Sequence, residues 1–406
     1  MTYLNSAIWL AISRCIYLVY YRCYFSLFQD GRWESMKQSN NNVRSLKGIL
    51  SILVLLFLTG CWSSNEIEEI GLSVGLALDE GKESTIEKEL KQQGGGYNQT
   101  EKITMTYQIV NPQGTGSESK GGGSQQKPYL NISETGDSIH QMSREISLRS
   151  ERPIFGPHLK VIVISEDLVR KYRLEQLVDQ QLRDYEIRPS CLVFISKGRA
   201  NETLESKESG KIPTFRLIGI SDNEYRTTRI LPPMPLAKLE GKMHSGSSFL
   251  LQNVISTNGE VKFSGAAVIT GKTKKLLGFL NEEEMEGLTW ISGKGKGGLV
   301  KNFDKETNQP IIYEVKSMKS KITPHINGNN ISFDVKIESE GRLSENWVVS
   351  GETSENKFLK KAEKAAEEEV KRLVNNVGEK MQKDYQVDVA GFGNRLRIEH
   401  PKVWEK

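Results

Sequence analysis

Cysteine is scarce: the 406 residues hold four, and two of them, Cys15 and Cys23, fall within the first 35. Cys61 ends an apolar run and Cys191 is left without a partner, so no disulfide framework can brace the chain and stability has to come from packing. Histidine is nearly as sparse. His140, His158, His244, His325 and His400 stand far apart, none with a second ligand at metal spacing, so the sequence offers no zinc-type centre. An excess of charge of one sign is also missing. Six basic and two acidic side chains lie in the first 60 residues, and beyond them the two signs balance at 49 each. The sequence pI of about 8.6 therefore comes from the leader region and gives no reason to expect nucleic acid as a partner. No G-x-S-x-G, Walker loop or H-E-x-x-H occurs, and nothing singles out a pair among the many carboxylates. The chain reads as no enzyme, with no catalytic residue, no cofactor and no metal to assign.

What is present begins with Leu58-Thr59-Gly60-Cys61. Lys37, Arg44 and Lys47 form a basic n-region, and the ten residues from Ile49 to Leu58, broken only by Ser51, form an apolar h-region. Ten is too short to span a bilayer, which needs roughly 20. Thr59 and Gly60 are small enough for a peptidase cleft, and Cys61 supplies a thiol that can carry a diacylglyceryl group. Several acyl chains, each contributing about 0.8 kcal/mol per buried CH₂, hold a protein firmly where a single chain does not. Residues 36–60 are accordingly expected to be a lipoprotein signal peptide, with Cys61 as the lipidation site. A buried thiol closing a core helix is the competing reading and fits the pattern less well. Residues 1–35 follow no clean period and contain Arg14 and Arg22, costly at mid-bilayer depth. They read as a non-native extension upstream of Met36.

Beyond Cys61 the periodicities predict an N-terminal α+β domain over 61–209, a connector with a small β-rich domain over 210–300, and a C-terminal α+β domain over 301–406. Strands are expected over 70–78 and 103–110, paired as a hairpin, and a Gly/Ser/Gln-rich loop over 112–128. A helix is expected to start near Thr135, with Ile139, Met142 and Ile146 on one face. Residues 159–196 read as a βαβ unit: a strand over 159–164, Ser165 as cap, a helix carrying Leu168, Leu174, Leu177, Val178 and Leu182 with a break near Tyr172, and a strand over 191–195. Pro213, Pro232, Pro233 and Pro235 mark 210–244 as a connector. Strands follow over 261–270 and 275–280, then a short acidic helix over 282–287 and a strand over 288–292. A hairpin is expected from strands over 311–318 and 331–339. Phe358, Ala362, Ala366, Val370, Leu373, Val377 and Met381 recur every three or four residues and predict one amphipathic helix from about Glu355 to Gln382, covering the hairpin sheet, with Gly378 as its weak point.

Three further features invite a chemical reading, and a plainer one is favoured for each. Gly293-Lys294-Gly295-Lys296-Gly297-Gly298 matches G-x-G-x-x-G, but Leu299-Val300-Lys301 follows where a helix should, so it reads as a basic loop. His158, with no nucleophile motif near it, reads as structural. Arg183, Asp184, Glu186 and Arg188 read as a solvated helix end with compensating charges.

Several segments together resemble the spore germination lipoprotein family, the C subunit of nutrient germinant receptors of endospore-forming bacteria. They are Leu58 to Trp62 with Glu66, Gly156-Pro157-His158-Leu159-Lys160-Val161-Ile162-Val163-Ile164 into Ser165-Glu166, Arg183-Asp184-Tyr185-Glu186-Ile187-Arg188, Gly265-Ala266-Ala267-Val268, and Phe392-Gly393 with Pro401 and Trp404. Ser63 departs from the pattern, where an acidic residue is expected, and the Gly/Ser loop looks inserted. The resemblance implies a three-domain α+β lipoprotein of mixed α/β character, its β-sheets packed by helices and a long amphipathic helix near the C-terminus. It also implies a place on the outer face of the inner spore membrane, membrane-embedded receptor subunits as partners, and membrane lipid bound through acylated Cys61. The alternative is a lipid-anchored solute-binding protein of a transporter, which would need two similar lobes around a cleft.

Overall fold

The computed structural model describes residues 69–81, 89, 102–114, 126–208, 210–348 and 356–405. The upstream extension, the signal peptide, Cys61 and most of the Gly/Ser-rich loop lie outside them. β1 (Gly71–Glu80) is buried along nearly its whole length and accepts partners on both sides. β2 (Ile103–Val110) pairs with it antiparallel, as the hairpin reading expects, with Glu80 opposite Ile103 and Ser73 opposite Ile109. β3 (Tyr129–Gly136), a strand the sequence does not announce, pairs antiparallel with β2. Because β3 runs through Gly136, α1 (Ile139–Glu145) starts later than expected, at Ser138, whose Oγ accepts a bond from the Gln141 amide at 3.3 Å.

β4 (Ile154–Phe155) lies parallel to Gly71–Leu72. Then come β5 (Val161–Ser165), α2 (Glu166–Lys171), α3 (Leu174–Arg183) and β6 (Leu192–Ser196), with β5 parallel to both β1 and β6. The βαβ unit and the break at Tyr172 stand where the sequence places them. Ser165 does not act as a side-chain cap: its Oγ is buried without a hydrogen-bond partner. Glu166 and Asp167 supply the favourable charge at that helix start instead.

The proline-rich span folds into α4 (Pro213–Ser221) and α5 (Leu236–His244), and β7 (Phe249–Thr257), β8 (Glu260–Ile269) and β9 (Leu276–Leu280) extend the first sheet rather than building one of their own. Ile195 and Ser196 of β6 pair in parallel with Asn253 and Val254 of β7. The sheet order is β3-β2-β1-β5-β6-β7-β8-β9, nine strands with β4 beside β1. The alternation of side chains divides its two faces. Leu76, Leu78, Ile162, Ile164, Val193 and Ile195 pack under α1, α2, α3 and α5, while Ala77, Val161, Val163, Phe194 and Val254 face Leu204, on the 3₁₀ turn Asn201–Leu204, and Leu217 of α4.

α6 (Glu282–Ser292) is one helix, so the expected strand over 288–292 does not exist. Five apolar-leaning residues cannot be told from a strand by period alone; here Met285, Leu288 and Ile291 share a buried face. The Asn281–Glu284 capping box starts the helix, and Gly293 ends it at φ 64°. β10 (Gly298–Phe303), β11 (Pro310–Asn327) and β12 (Asn330–Asn346) form an antiparallel sheet. Its hairpin is tighter than expected: Asn327 pairs with Asn330 around Gly328-Asn329, so the residues from Pro324 onward belong to strand. The long amphipathic helix is α7 (Asn356–Glu379), with Ala366, Leu373 and Val377 buried, continued by a π-helical turn over Lys380–Tyr385. α7 packs on α6 and β10, and α8 (Phe392–Glu399) and α9 (Pro401–Trp404) close the chain. The result is a mixed α/β protein of helix-packed sheets with a long C-terminal helix.

Candidate functional site

The residues singled out in the sequence do not converge. Cys61 lies outside the described residues. His158 sits half-buried on a 3₁₀ turn, its ring centroid 5.7 Å from that of Phe155. Burial first, and the charges of Arg188 and Lys160 second, hold its pKa below the usual histidine range. Arg183 is paired with Asp179 at 2.7 Å, and Asp184 Oδ1 accepts from the Glu186 amide at 3.0 Å, which makes the cluster a solvated helix end. The 293–298 loop closes α6 and enters a strand, Lys296 pairs with Glu224, and a side chain at Gly297 would strike the carbonyl of Tyr225. It leads into a strand and so lacks the loop-to-helix setting of a dinucleotide fingerprint. Among the described residues no three His, Cys, Asp or Glu side chains are grouped to hold a metal ion, and no helix is long and apolar enough to cross a membrane.

A cleft of about 910 Å³ opens between the Arg226–Arg229 segment, α6, β10 and α7. Four stretches distant in sequence build it. The capping box starts α6, and Glu283 and Glu286 lie along one wall. The period of α7 that buries Leu373 turns Glu368, Glu369 and Arg372 toward the opposite wall. Thr289 Oγ1 donates to the Thr228 carbonyl at 3.0 Å and so ties the Arg226–Arg229 segment to α6. Neither this segment nor its role is legible in the sequence, where it sits inside a proline-rich connector with no period.

The polar groups of the cleft are matched to one another. Arg229 reaches Glu286 at 3.0 Å and Glu282 at 3.5 Å, and Arg372 reaches Glu369 at 2.7 Å and Glu283 at 3.4 Å. Lys305 meets Glu368 at 2.8 Å. Glu286 is only 4 % exposed in its side chain, against 47 % for Arg229. Burial pushes the Glu286 carboxyl up from its ordinary value and the Arg229 guanidinium only partly offsets this. Glu282 is held below the usual carboxylate range, chiefly by Lys262. Glu369 beside Arg372 keeps that guanidinium firmly protonated. On the rim Leu299 and Phe303 are exposed, with the Lys301 ammonium over the Phe303 ring at 5.2 Å. Charge-paired walls and an apolar rim suit recognition of a polar partner surface. The described sheets, one of nine strands and one of three, are not two like lobes around this cleft.

The chain matches two family models end to end: "Spore germination protein N-terminal domain" over residues 63–255 and "Spore germination B3/ GerAC like, C-terminal" over 264–406. The gap between them falls at the β7–β8 turn. Spore germination protein YndF of Bacillus subtilis (strain 168) is 51% identical over 362 residues, 88% of this chain and 89% of that protein. Spore germination protein B3 of the same organism is 29% identical over 357 residues, 87% and 89% of the two chains. The crystal structure of the GerBC protein superimposes with a TM-score of 0.53 at 26% identity, covering 84% of this chain and 92% of that one.

Proposed function

We propose that this chain, which belongs to the spore germination B3/GerAC-like family and has its role in spore germination, is the lipid-anchored, non-catalytic subunit of a nutrient germinant receptor. The observation that carries the reading is the fit of the family models to the sequence pattern: the N-terminal model opens at residue 63, two residues after Cys61, where the signal-peptide pattern ends. In this reading Cys61 carries the acyl chains, palmitate among them. The remainder stands on the outer face of the inner spore membrane and works through contacts with membrane-embedded receptor subunits, for which the cleft beside α7 is a suitable surface.

Two experiments test it. Metabolic labelling with a fatty acid should mark the protein, and Cys61→Ala should abolish the label and move the protein to the soluble fraction. In a strain without redundant receptors, deletion should abolish the response of purified spores to at least one member of a nutrient panel. Normal germination on every nutrient would refute the receptor role, and an unlabelled but membrane-bound protein would refute the anchor.

A further inference from the structure

We infer that the free edge of β10 takes up an extended segment of a partner protein as a fourth strand of the small sheet, inside the cleft. This deepens the contact role proposed above for the cleft and rests on it. Which backbone groups are free follows from the ladder. Among the described residues β10 pairs with β11 alone, and the register runs without a shift from Gly298 opposite Val315 to Phe303 opposite Pro310. The Asp304 amide donates to the Gln309 carbonyl at 2.9 Å, while the carbonyl of Pro310, a residue with no N–H, accepts from the Trp347 amide at 3.1 Å on the β12 side. Bonded and non-bonded pairs alternate in an antiparallel ladder. Asn302, Val300 and Gly298 therefore bond to β11, and the N–H and C=O groups of Leu299, Lys301 and Phe303 point the other way. None of these groups has a hydrogen-bond partner among the described residues. They look into the cleft, whose lining takes in every residue from Leu299 to Phe303, from both faces of the strand, as only a strand edge can offer.

Strand edges are usually blunted against such pairing, and two others in this protein show how. β12 is interrupted by register shifts and exposes Asp334, Lys336 and Glu338, and at β9 the Tyr385 hydroxyl donates to the Phe279 carbonyl at 2.9 Å. β10 keeps an unbroken register and carries a single charge, on Lys301. Its exposed side chains also specify what should lie opposite. Leu299 and Phe303, 55 % and 49 % exposed, flank Lys301 on one face of the strand. Side chains directly opposed across two strands favour apolar, aromatic and opposite-charge pairs. The occupant is therefore a segment of roughly six residues, an ordinary strand length, with β-branched or aromatic residues facing Leu299 and Phe303 and an Asp or Glu facing Lys301. That pattern reads the same in either chain direction. Main-chain bonds supply the affinity and the alternate side chains the specificity, as in other cases of strand addition.

Amide hydrogen exchange on the full chain, alone and in the membrane assembly that copurifies with it from spores, tests this. Alone, the amides of Leu299, Lys301 and Phe303 should exchange at least about tenfold faster than those of Val300 and Asn302, and in the assembly they should slow by about tenfold. Lys301→Pro removes an outward N–H and no bond to β11, whereas Lys301→Val removes the charge and keeps the N–H. The first should lose the slowing at Leu299 and Phe303, and the second should keep most of it. Exchange at Val300 and Asn302 shows whether the proline variant has kept its sheet, and the parent measurement stands without it. Amides already slow in the isolated chain would mean that another segment of this chain, such as 349–355, holds the edge, which overturns the proposal. An intact assembly and nutrient response with the three amides unchanged overturns strand addition and leaves the receptor role standing. If no subunit copurifies and deletion leaves germination normal, the receptor reading falls. The edge is then probed with the end-capped peptide Thr-Val-Thr-Glu-Thr-Val-Thr at millimolar concentration, and its failure to slow the three amides overturns strand addition too.

Discussion

Two glycines in the C-terminal layer should respond to the same substitution with opposite signs. Gly287 lies in α6 where α7 crosses it: a Cβ built there would sit 2.3 Å from the Leu373 carbonyl oxygen and 3.0 Å from Val377 Cγ1. A helix carbonyl cannot swing aside as a flexible side chain can, so α7 would have to retreat by about 1 Å along a seam that includes Met285, Trp290 and Leu373. Overpacking of this kind costs about 1–3 kcal/mol. Gly378 lies in α7 with nothing within 4 Å of the same position, so Gly378→Ala should gain the helix-propensity term of about 0.5–1 kcal/mol. Both substitutions carry that propensity gain and the same loss of freedom in the unfolded chain. The difference between the two variants therefore isolates the packing term, about 1–3 kcal/mol. One kcal/mol moves Tm by about 2–4 °C in a 150–250-residue protein, and by less in a longer one. Thermal scans of the purified chain at one scan rate should place Gly287→Ala below Gly378→Ala by up to several degrees, with Gly378→Ala at or above the parent. Equal midpoints, or Gly287→Ala the more stable, would refute the close crossing of α6 and α7 and with it the wall of the cleft.

Three other outcomes are expected. Gln108 is fully buried in β2; its Oε1 accepts from the Thr214 amide at 3.1 Å and the Thr214 hydroxyl at 2.8 Å, while its Nε2 donates to the Leu204 carbonyl at 2.7 Å. Gln108→Leu strands the Thr214 amide and should cost about 1–3 kcal/mol, read as a lower Tm; no change would mean that water replaces the amide. Glu286 has a folded-state pKa raised by burial, so the native state holds its proton to higher pH than the unfolded state, and its contribution to stability is greatest below the ordinary carboxylate range and is lost as pH rises through the raised value. A Tm-against-pH series should show Glu286→Gln losing less than the parent over that interval, and parallel curves would contradict the assignment. Burial pushes the Cys191 thiol up to about 12, so alkylation at pH 8 should wait for unfolding. Rapid modification of the native chain at that residue would count against its placement under the α3–α5 layer.

The parts of the fold legible in the sequence are those whose information is local. The seven apolar positions from Phe358 to Met381 describe one face of one helix, and α7 with its π-helical extension spans nearly the expected range. The βαβ unit is similarly self-contained, with a β-branched run, an apolar helical period behind an acidic first turn, and a second run. β7 escaped because Gln252 and Asn253 interrupt its apolar run. In the fold both are buried and work on the backbone, Gln252 accepting from the Leu231 amide at 2.8 Å and donating to the Gly265 carbonyl at 2.9 Å, and Asn253 donating to the Ser264 carbonyl at 2.7 Å. They stand at the register shift between β7 and β8, and a buried amide at a bulge looks like a loop residue to any periodicity. The two helices of the proline-rich span were hidden by the prolines that start them: Pro213 occupies the first turn of α4 and Pro235 precedes α5. The cleft was invisible for a different reason. Its walls come from segments more than 140 residues apart, and nothing in Arg226-Thr227-Thr228-Arg229 records what will pack against it.

The charge pattern of the cleft restricts what can enter it. Glu286 is buried and its one cationic neighbour, Arg229, is half exposed. An incoming carboxylate that drew Arg229 away would leave Glu286 buried and unpaired, a state that costs several kcal/mol unless it takes up a proton. A lone anion is therefore a poor occupant. A partner strand or helix end brings donors and acceptors together, and can add to Arg372 and Lys305 on one wall while offering N–H groups to Glu283 and Glu286 on the other, leaving every existing pair in place. Arg229 and Arg372 also bridge α6 to the 226–229 segment and to α7, so an occupant that leaves these pairs in place keeps the three elements tied together. The cleft is thus better matched to a surface carrying both donors and acceptors than to a small charged solute.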